Sequence, residues 1–140
     1  MDAESRRHER VWQSAPMAPT PDQMRATCAA YVAAYRANDK DALLALFAED
    51  CEWTDPVGTP THVGRAGVGD FWDGARAMAD SIVLEPKDVT ICGNEACMIF
   101  EIHASVGGNT MVMDAVDIFV FDDDARIATG KAYWDMAKAR

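Results

Sequence analysis

The stretch that most constrains the fold is residues 111–122, MVMDAVDIFVFD, which has the composition of one long apolar strand with carboxylates inside it. Side chains along a strand alternate between two faces. Asp117 therefore shares its face with apolar side chains, which are Met111, Met113, Ala115, Phe119 and Phe121. A carboxylate on such a face costs free energy unless it is paired, hydrogen-bonded or protonated. The pattern thus predicts either a hydrated strand face or a functional site around Asp117, with Asp114 on the opposite face.

The rest of the second half of the chain also follows the two-residue period of strands. We predict strands over residues 81–84 and 88–92, on either side of Pro86, and then over 95–106 and 126–136. The sequence Gly107-Gly108-Asn109 predicts a hairpin turn ahead of the strand over 111–122. On the last strand, Gly130 and Ala132 leave space that Trp134 closes.

The first half of the chain follows helical spacing instead. We predict helices over 21–38, 41–48 and 65–79, with Thr20 capping the first, and short extended segments over 49–55 and 61–63. Helices followed by long strands indicate an α+β fold, in which three helices cover a cone-shaped, curved mixed or antiparallel sheet and enclose an apolar pocket. Residues 1–20 are polar and carry two prolines, which predicts a flexible N-terminal extension ahead of one domain over 21–140.

Composition argues against several classes of partner. Residues 1–20 hold three acidic and three basic residues, so the whole formal net charge of −10 belongs to residues 21–140. An acidic domain repels phosphate backbones, and no apolar run reaches membrane-spanning length, so we expect neither nucleic acid nor a membrane as partner. The four cysteines form no CxxC pair and have no histidine at zinc-ligand spacing. They predict reduced thiols in a cytoplasmic protein without a metal site.

Three polar residues, Tyr31, Asp55 and Asp117, occupy positions that are otherwise apolar and inward-facing. Each also has a purely structural interpretation. Tyr31 fits a core tyrosine bonded to a carbonyl, and Asp55, which precedes Pro56, fits a turn residue. Asp117 could pair with Lys131 on the neighbouring strand. The pattern alone leaves these alternatives open.

Longer runs of the sequence resemble the ketosteroid isomerases. The run TCAAYVAAYRANDKDALLALFAEDCEWTDPVG at 27–58 is similar to the first helices and first strand of that family. The runs VGRAGVGDFW, MDAVDIFVFDDDARI and KAYW are similar to its later segments, and the resemblance covers residues 22–136. It implies the cone-shaped α+β fold of the wider nuclear-transport-factor-like, or SnoaL-like, superfamily.

The resemblance also implies roles for individual residues. Asp55 matches the family's general base, and Tyr31 and a protonated Asp117 match the two donors of its oxyanion hole. The apolar substrate-binding positions that it implies are Val57, Trp72, Met98, Phe100, Met113, Ala115, Phe119 and Trp134. One departure concerns Trp72, which stands where the family usually has a tyrosine that supports the oxyanion-hole tyrosine by a hydrogen bond.

The implied activity is that of a steroid delta-isomerase, which converts a 3-oxo-Δ5-steroid to a 3-oxo-Δ4-steroid without cofactor or metal, in steroid metabolism. The opposite face of the strand over 111–122 is apolar, which together with the resemblance predicts a homodimer formed through the sheet. Two alternatives use the same fold. One is a polyketide-cyclase-like enzyme that uses Asp55 alone, and the other is a non-catalytic binder of apolar ligands.

Overall fold

A computed structural model describes residues 19–140 of the chain. Within that part, the elements in chain order are helices α1 (Pro21–Ala37) and α2 (Lys40–Leu44), strands β1 (Phe47–Thr54) and β2 (His62–Val63), helix α3 (Gly64–Met78), strands β3 (Ser81–Cys92), β4 (Glu95–Val106), β5 (Asn109–Phe121) and β6 (Ile127–Trp134), and a short 3-10 helix (Met136–Lys138). All but the last two residues of the predicted extension over 1–20 lie outside the described residues.

The sequence around α1 explains both ends of this helix. The Thr20 hydroxyl accepts a hydrogen bond from the Gln23 backbone N–H at 3.1 Å, and the Gln23 side chain accepts one from the Thr20 N–H at 2.9 Å, which is a capping box. Asn38 ends the helix in the left-handed region, at φ 52°. Residues spaced three or four apart face inward, so Tyr31 and Tyr35 lie one turn apart on the buried side.

The strands of the described chain form one curved sheet in the order β2-β1-β6-β5-β4-β3. β1 runs parallel to β6, and the other neighbouring strands are antiparallel. The helices lie against one face of this sheet, with α1 on β3 and α3 on β1. This arrangement confirms the predicted α+β fold with three helices over a curved mixed sheet.

The third strand differs from its prediction. β3 is continuous from Ser81 to Cys92, whereas the sequence pattern divided it at Pro86. Proline lacks the N–H that a central strand needs, but β3 is the edge strand of the sheet, where one side has no neighbour. The ladder to β4 shifts register between Pro86 and Asp88, so a bulge absorbs the proline.

Element boundaries also differ from the predicted ones after the second helix and at the end of the last strand. The second helix ends at Leu44 and β1 begins at Phe47, inside the predicted helix over 41–48, because the Ile127 N–H donates to the Leu46 carbonyl at 2.8 Å and joins this segment to β6. β6 ends at Trp134, two residues early. The Asp135 side chain there accepts a hydrogen bond from the Ala137 N–H at 3.0 Å and caps the 3-10 helix.

The inward face of the sheet carries an aromatic core. Phe119 stacks on Trp53, with ring centroids 5.8 Å apart and planes inclined by 21°, and Tyr31 meets the same Phe119 ring edge-on at 5.2 Å. Gly130 makes room for this stack, because a Cβ at that position would overlap the Trp53 ring. The Trp53 ring therefore fills the space over Gly130. Further along β6, Ala132 and Trp134 line a cavity instead.

Candidate active site

A cavity of about 150 Å³ lies between the inward face of the sheet and helices α1 and α3. Most of its wall is apolar and comes from Phe71 on α3, Ile82 and Leu84 on β3, Phe100, Ile102 and Ala104 on β4, and Met113 on β5. Two tyrosines, two aspartates and one tryptophan add polar atoms to this wall: Tyr31, Tyr35, Asp55, Asp117 and Trp134. An apolar cavity with a few convergent polar groups is the usual form of a small-molecule site.

Asp117 is a buried carboxyl group without a counter-charge among the described residues. It is 1% exposed, and neither of its oxygens has a well-formed hydrogen bond to another described residue. Lys131 pairs in register with Ile118 and is exposed on the outward face, so the predicted alternative of an Asp117–Lys131 pair does not form. Burial, and then the nearby charge of Asp55, raise the pKa of Asp117 well above its usual range, against a smaller opposing effect of the Tyr31 hydroxyl. These surroundings favour the neutral, proton-bearing form of the carboxyl group over the charged form.

Asp55 lies just beyond the end of β1, and its peptide bond to Pro56 is cis. The Trp134 indole N–H donates a hydrogen bond to Asp55 Oδ1 at 2.8 Å, which fixes the carboxyl group beside the cavity. Burial raises the pKa of Asp55, and the indoles of Trp134 and Trp53 oppose that shift by favouring the charged form. Asp55 is partly accessible, so it combines a position on the cavity wall with increased basicity.

Tyr31 and Tyr35 present their rings to the cavity from the same face of α1. They are 2% and 6% exposed, and their ring centroids lie 5.2 Å apart. Burial raises the pKa of both phenols, and that of Tyr31 is well above its usual range. The charges of Asp55 and Asp117 raise both pKa values further. Both hydroxyls therefore remain neutral hydrogen-bond donors at any ordinary pH.

The structure brings the three predicted catalytic residues together on one cavity. Tyr31 comes from α1, Asp55 from the end of β1 and Asp117 from β5. Tyr35, on the buried face of α1, is a fourth polar residue on this wall and was not among the predicted site residues. The available signal was its spacing, since a residue four positions after Tyr31 lies on the same face of the helix.

Of the eight predicted substrate-binding residues, the structure places Phe100, Met113 and Trp134 on the cavity wall. Val57 is 46% exposed and lies in a separate outer groove near Asp135. Met98 is fully buried and borders another cavity, between α1 and β3. Both residues therefore lie outside this cavity, Val57 on the loop after β1 and Met98 on β4.

Phe119, Ala115 and Trp72 also lie away from the cavity wall. Phe119 is fully buried and stacks on Trp53, and Ala115 is also buried. The Trp72 ring packs against the Tyr35 ring with centroids 4.8 Å apart, and the Arg76 guanidinium lies 4.4 Å from the indole. In this structure the three residues are part of the packed core next to the cavity.

Between residues 19 and 140, no group of three or more histidine, cysteine or acidic side chains is arranged to hold a metal ion. In the same part of the chain, none of the helices combines the length and the hydropathy that crossing a membrane requires. The cysteines of the described chain, Cys28, Cys51, Cys92 and Cys97, are all unpaired thiols.

Solved structures show which fold this is. The enzyme SalBIII, described as epoxide hydrolase/cyclase-like and acting in pyran ring formation in the polyether salinomycin, superposes with a TM-score of 0.76 at 19% identity, over 84% of this chain and 95% of that one. An NTF2-like protein of unknown function from Burkholderia pseudomallei superposes with a TM-score of 0.76 at 20% identity, over 83% and 93%. At such identities the likeness shows the shared cone fold alone.

Sequence comparison identifies the family. A steroid Delta-isomerase from Nocardioides simplex is 30% identical over 112 residues, which are 80% of this chain and 89% of that protein. The family model of the SnoaL-like domain matches residues 28–129, which include Tyr31, Asp55 and Asp117. The cavity that contains the buried Asp117 is its candidate functional site. The chain thus belongs to the SnoaL-like domain family.

Proposed function

We propose that the protein is a ketosteroid isomerase, which moves the double bond of a β,γ-unsaturated 3-ketosteroid into conjugation with the carbonyl. The observation that carries this proposal is Asp117, a buried acid held next to Tyr31 and Asp55 on an apolar cavity. A buried acid without a partner is costly in a purely structural role. The similarity to a steroid Delta-isomerase supports the same activity.

The reaction requires one base and two neutral donors. The Asp55 carboxylate removes a proton from the carbon between the carbonyl and the alkene. The electron pair left behind moves onto the carbonyl oxygen and gives a dienolate. Tyr31 and protonated Asp117 donate hydrogen bonds to that oxygen, where the negative charge develops. Asp55 then returns the proton to the γ-carbon, the carbonyl re-forms, and no other reactant is consumed.

The environment of each carboxyl group suits its proposed role. The apolar surroundings of Asp117 keep its proton on, so it acts as a donor, a use that burial of an acid makes available. Asp55 is accessible and is bonded to the Trp134 indole, so it remains the ionisable member of the pair. Two identical side chains therefore divide into acid and base because their surroundings differ.

A spectroscopic assay tests this proposal directly. The conjugated 3-oxo-Δ4 product has a strong ultraviolet absorption band that the 3-oxo-Δ5-steroid lacks. We expect absorbance to rise at a rate proportional to protein concentration, and the Asp55→Asn variant to abolish the rise. Binding of the steroid without any change in absorbance would overturn the proposal in favour of the non-catalytic binder. Turnover that survives loss of both Tyr31 and Asp117 donors would favour a cyclase-like use of Asp55 alone.

We also propose that the protein forms a homodimer through the outer face of its sheet. Ile99 on β4 is 44% exposed and pairs in register with Val116 on β5, and Ile118 lies next along that face. Ile99 is exposed and the other two are half-buried, and a row of apolar side chains in contact with solvent favours a second copy as its cover. We expect sedimentation as a dimer at micromolar concentration and as a monomer after Ile99→Lys; a monomeric wild type would contradict this.

We place the protein in the cytoplasm. Its four cysteines are all free, including the exposed Cys92, and unpaired thiols are typical of a reducing compartment. Labelling of Cys92 by a thiol reagent in freshly lysed cells, without prior reduction, supports this location, whereas a thiol blocked by oxidation would contradict it.

A further inference from the structure

We propose that Tyr35 is a positioning residue of the oxyanion hole, whose hydroxyl donates a hydrogen bond to the Tyr31 hydroxyl. This inference rests on the proposed function, in which Tyr31 donates to the developing oxyanion. It assigns the support of Tyr31 to a residue one helical turn away, rather than to Trp72, which has no hydroxyl and packs behind Tyr35.

The geometry of α1 carries the inference. Residues four apart on a helix are neighbours on one face, and the rings of Tyr31 and Tyr35 are 5.2 Å apart and tilted by 54°. Both residues are buried and both line the same cavity. Two buried phenols that share one apolar cavity wall satisfy their hydroxyls most readily with each other.

The surroundings of Tyr35 hold its ring in place. Trp72 packs on it with centroids 4.8 Å apart, and the Arg76 guanidinium lies 5.5 Å from its ring centroid. The same Arg76 donates a hydrogen bond to the Tyr35 carbonyl at 2.7 Å, so α3 fixes both the backbone and the side chain. A ring held on these sides has little freedom to move its hydroxyl away from Tyr31.

The chemistry gives such a bond a role in the transition state. When Tyr31 donates to the oxyanion, its own oxygen gains negative charge, and a hydrogen bond received from Tyr35 stabilises that charge. The bond is stronger with the dienolate than with the ketone, so its loss lowers kcat rather than raising KM. Tyr35 thereby supports Tyr31, which is one of the two groups that donate to the oxyanion.

The first test is a double-mutant cycle with Tyr35→Phe. This substitution removes one oxygen and leaves the ring against Trp72, so the fold is retained, which thermal unfolding checks. We expect kcat to fall about tenfold, the worth of one hydrogen bond of about 1.4 kcal/mol, with KM within about twofold. In the Tyr31→Phe background, Tyr35→Phe should have almost no further effect, because Tyr35 acts through Tyr31. Tyr133→Phe, at the exposed tyrosine of β6, is the matched control and should leave kcat unchanged.

The second test does not need turnover. A substituted phenol with a pKa near neutrality mimics the dienolate when it ionises, and its ultraviolet spectrum reports the ionised fraction when bound. We expect Tyr35→Phe to raise the pKa of the bound phenol by about one unit, equivalent to a tenfold loss of ionised form at fixed pH, and Tyr133→Phe to leave it unchanged.

These outcomes separate the two proposals. A phenol shift without steroid turnover keeps the role of Tyr35 and removes the isomerase function. Full kcat in Tyr35→Phe together with an unchanged bound phenol would overturn the role of Tyr35 while leaving the isomerase intact. Additive losses in the cycle would also overturn it, because they would place the Tyr35 hydroxyl on the substrate itself.

Discussion

Two carboxyl groups of β5 stand three residues apart and have opposite environments. The Asp114 side chain is 66% exposed and lies 3.4 Å from the Arg140 guanidinium. Asp117 is 1% exposed and has no well-formed hydrogen bond to the described part of the chain. An odd offset along a strand separates them, which turns one carboxyl group to solvent and the other to the cavity.

The comparison shows how the fold makes two chemical groups from one residue type. On the outer face, Asp114 is exposed to solvent and pairs with the exposed Arg140, and such a pairing is worth little. On the inner face, burial raises the pKa of Asp117 and favours the neutral acid. The surroundings, not the side chain, decide which of the two is useful as a proton-bearing donor.

The largest expected effect is on turnover, and it compares Asp55, which lines the cavity, with Asp114 on the outer face of the sheet. Asp55→Asn removes the base while keeping the shape and the bond from Trp134, so we expect kcat to fall on the order of a thousandfold, with steroid affinity nearly unchanged. Asp114→Asn, the same chemical change on the outer face, should retain full turnover. Both rates come from the enone absorbance assay, and near-normal turnover of Asp55→Asn would remove Asp55 as the base.

A smaller difference in turnover is expected between variants of Tyr31, which lines the cavity, and of Tyr133, which is exposed. Tyr31→Phe removes one oxyanion donor, and we expect kcat to fall on the order of a hundredfold. Tyr133→Phe, where the phenol is exposed on β6, should change kcat by less than about twofold. An unchanged rate in Tyr31→Phe would return Tyr31 to its alternative role as a core tyrosine.

The next expected effect is the contribution of Asp117 to the pH dependence of the free energy of unfolding. Because the folded-state pKa of Asp117 is raised, the folded protein holds a proton that the unfolded chain releases above about pH 4. Its contribution is fully present below that pH and is lost as pH rises towards the folded-state pKa. The stability of Asp117→Asn relative to wild type should therefore increase from pH 4 upwards, by about 1.4 kcal/mol for each pH unit within that window. Denaturant unfolding across pH measures it, and a flat difference would contradict a raised pKa.

Much of this site could be predicted from sequence because strand alternation is a strict rule. The period of two assigned Asp117 to the inward face and Asp114 to the outward one, and the helical spacing assigned Tyr31 to the buried side of α1. Alternation gives the face of a residue but not its depth along the strand. Met113 and Phe119 share a face, yet Met113 reaches the cavity and Phe119 lies beneath Trp53.

What could not be predicted depends on partners far away in sequence. Pro86 marked a break because the pattern does not reveal that β3 is an edge strand, where a missing N–H is tolerated. Tyr35 was not predicted as a site residue: its spacing from Tyr31 indicates the same helix face, but the sequence does not reveal that Trp72 and Arg76 of α3 pack against its ring. Packing between elements, rather than local preference, decided both.

The smallest expected effect tests the outer side of the comparison. The Asp114–Arg140 pair joins two side chains that are 66% and 53% exposed, so solvent already stabilises each charge and the bond adds little. Asp114→Asn should change the free energy of unfolding by less than about 0.5 kcal/mol, measured by denaturant unfolding at one protein concentration. A larger loss would mean that Asp114 is held by more than water and Arg140.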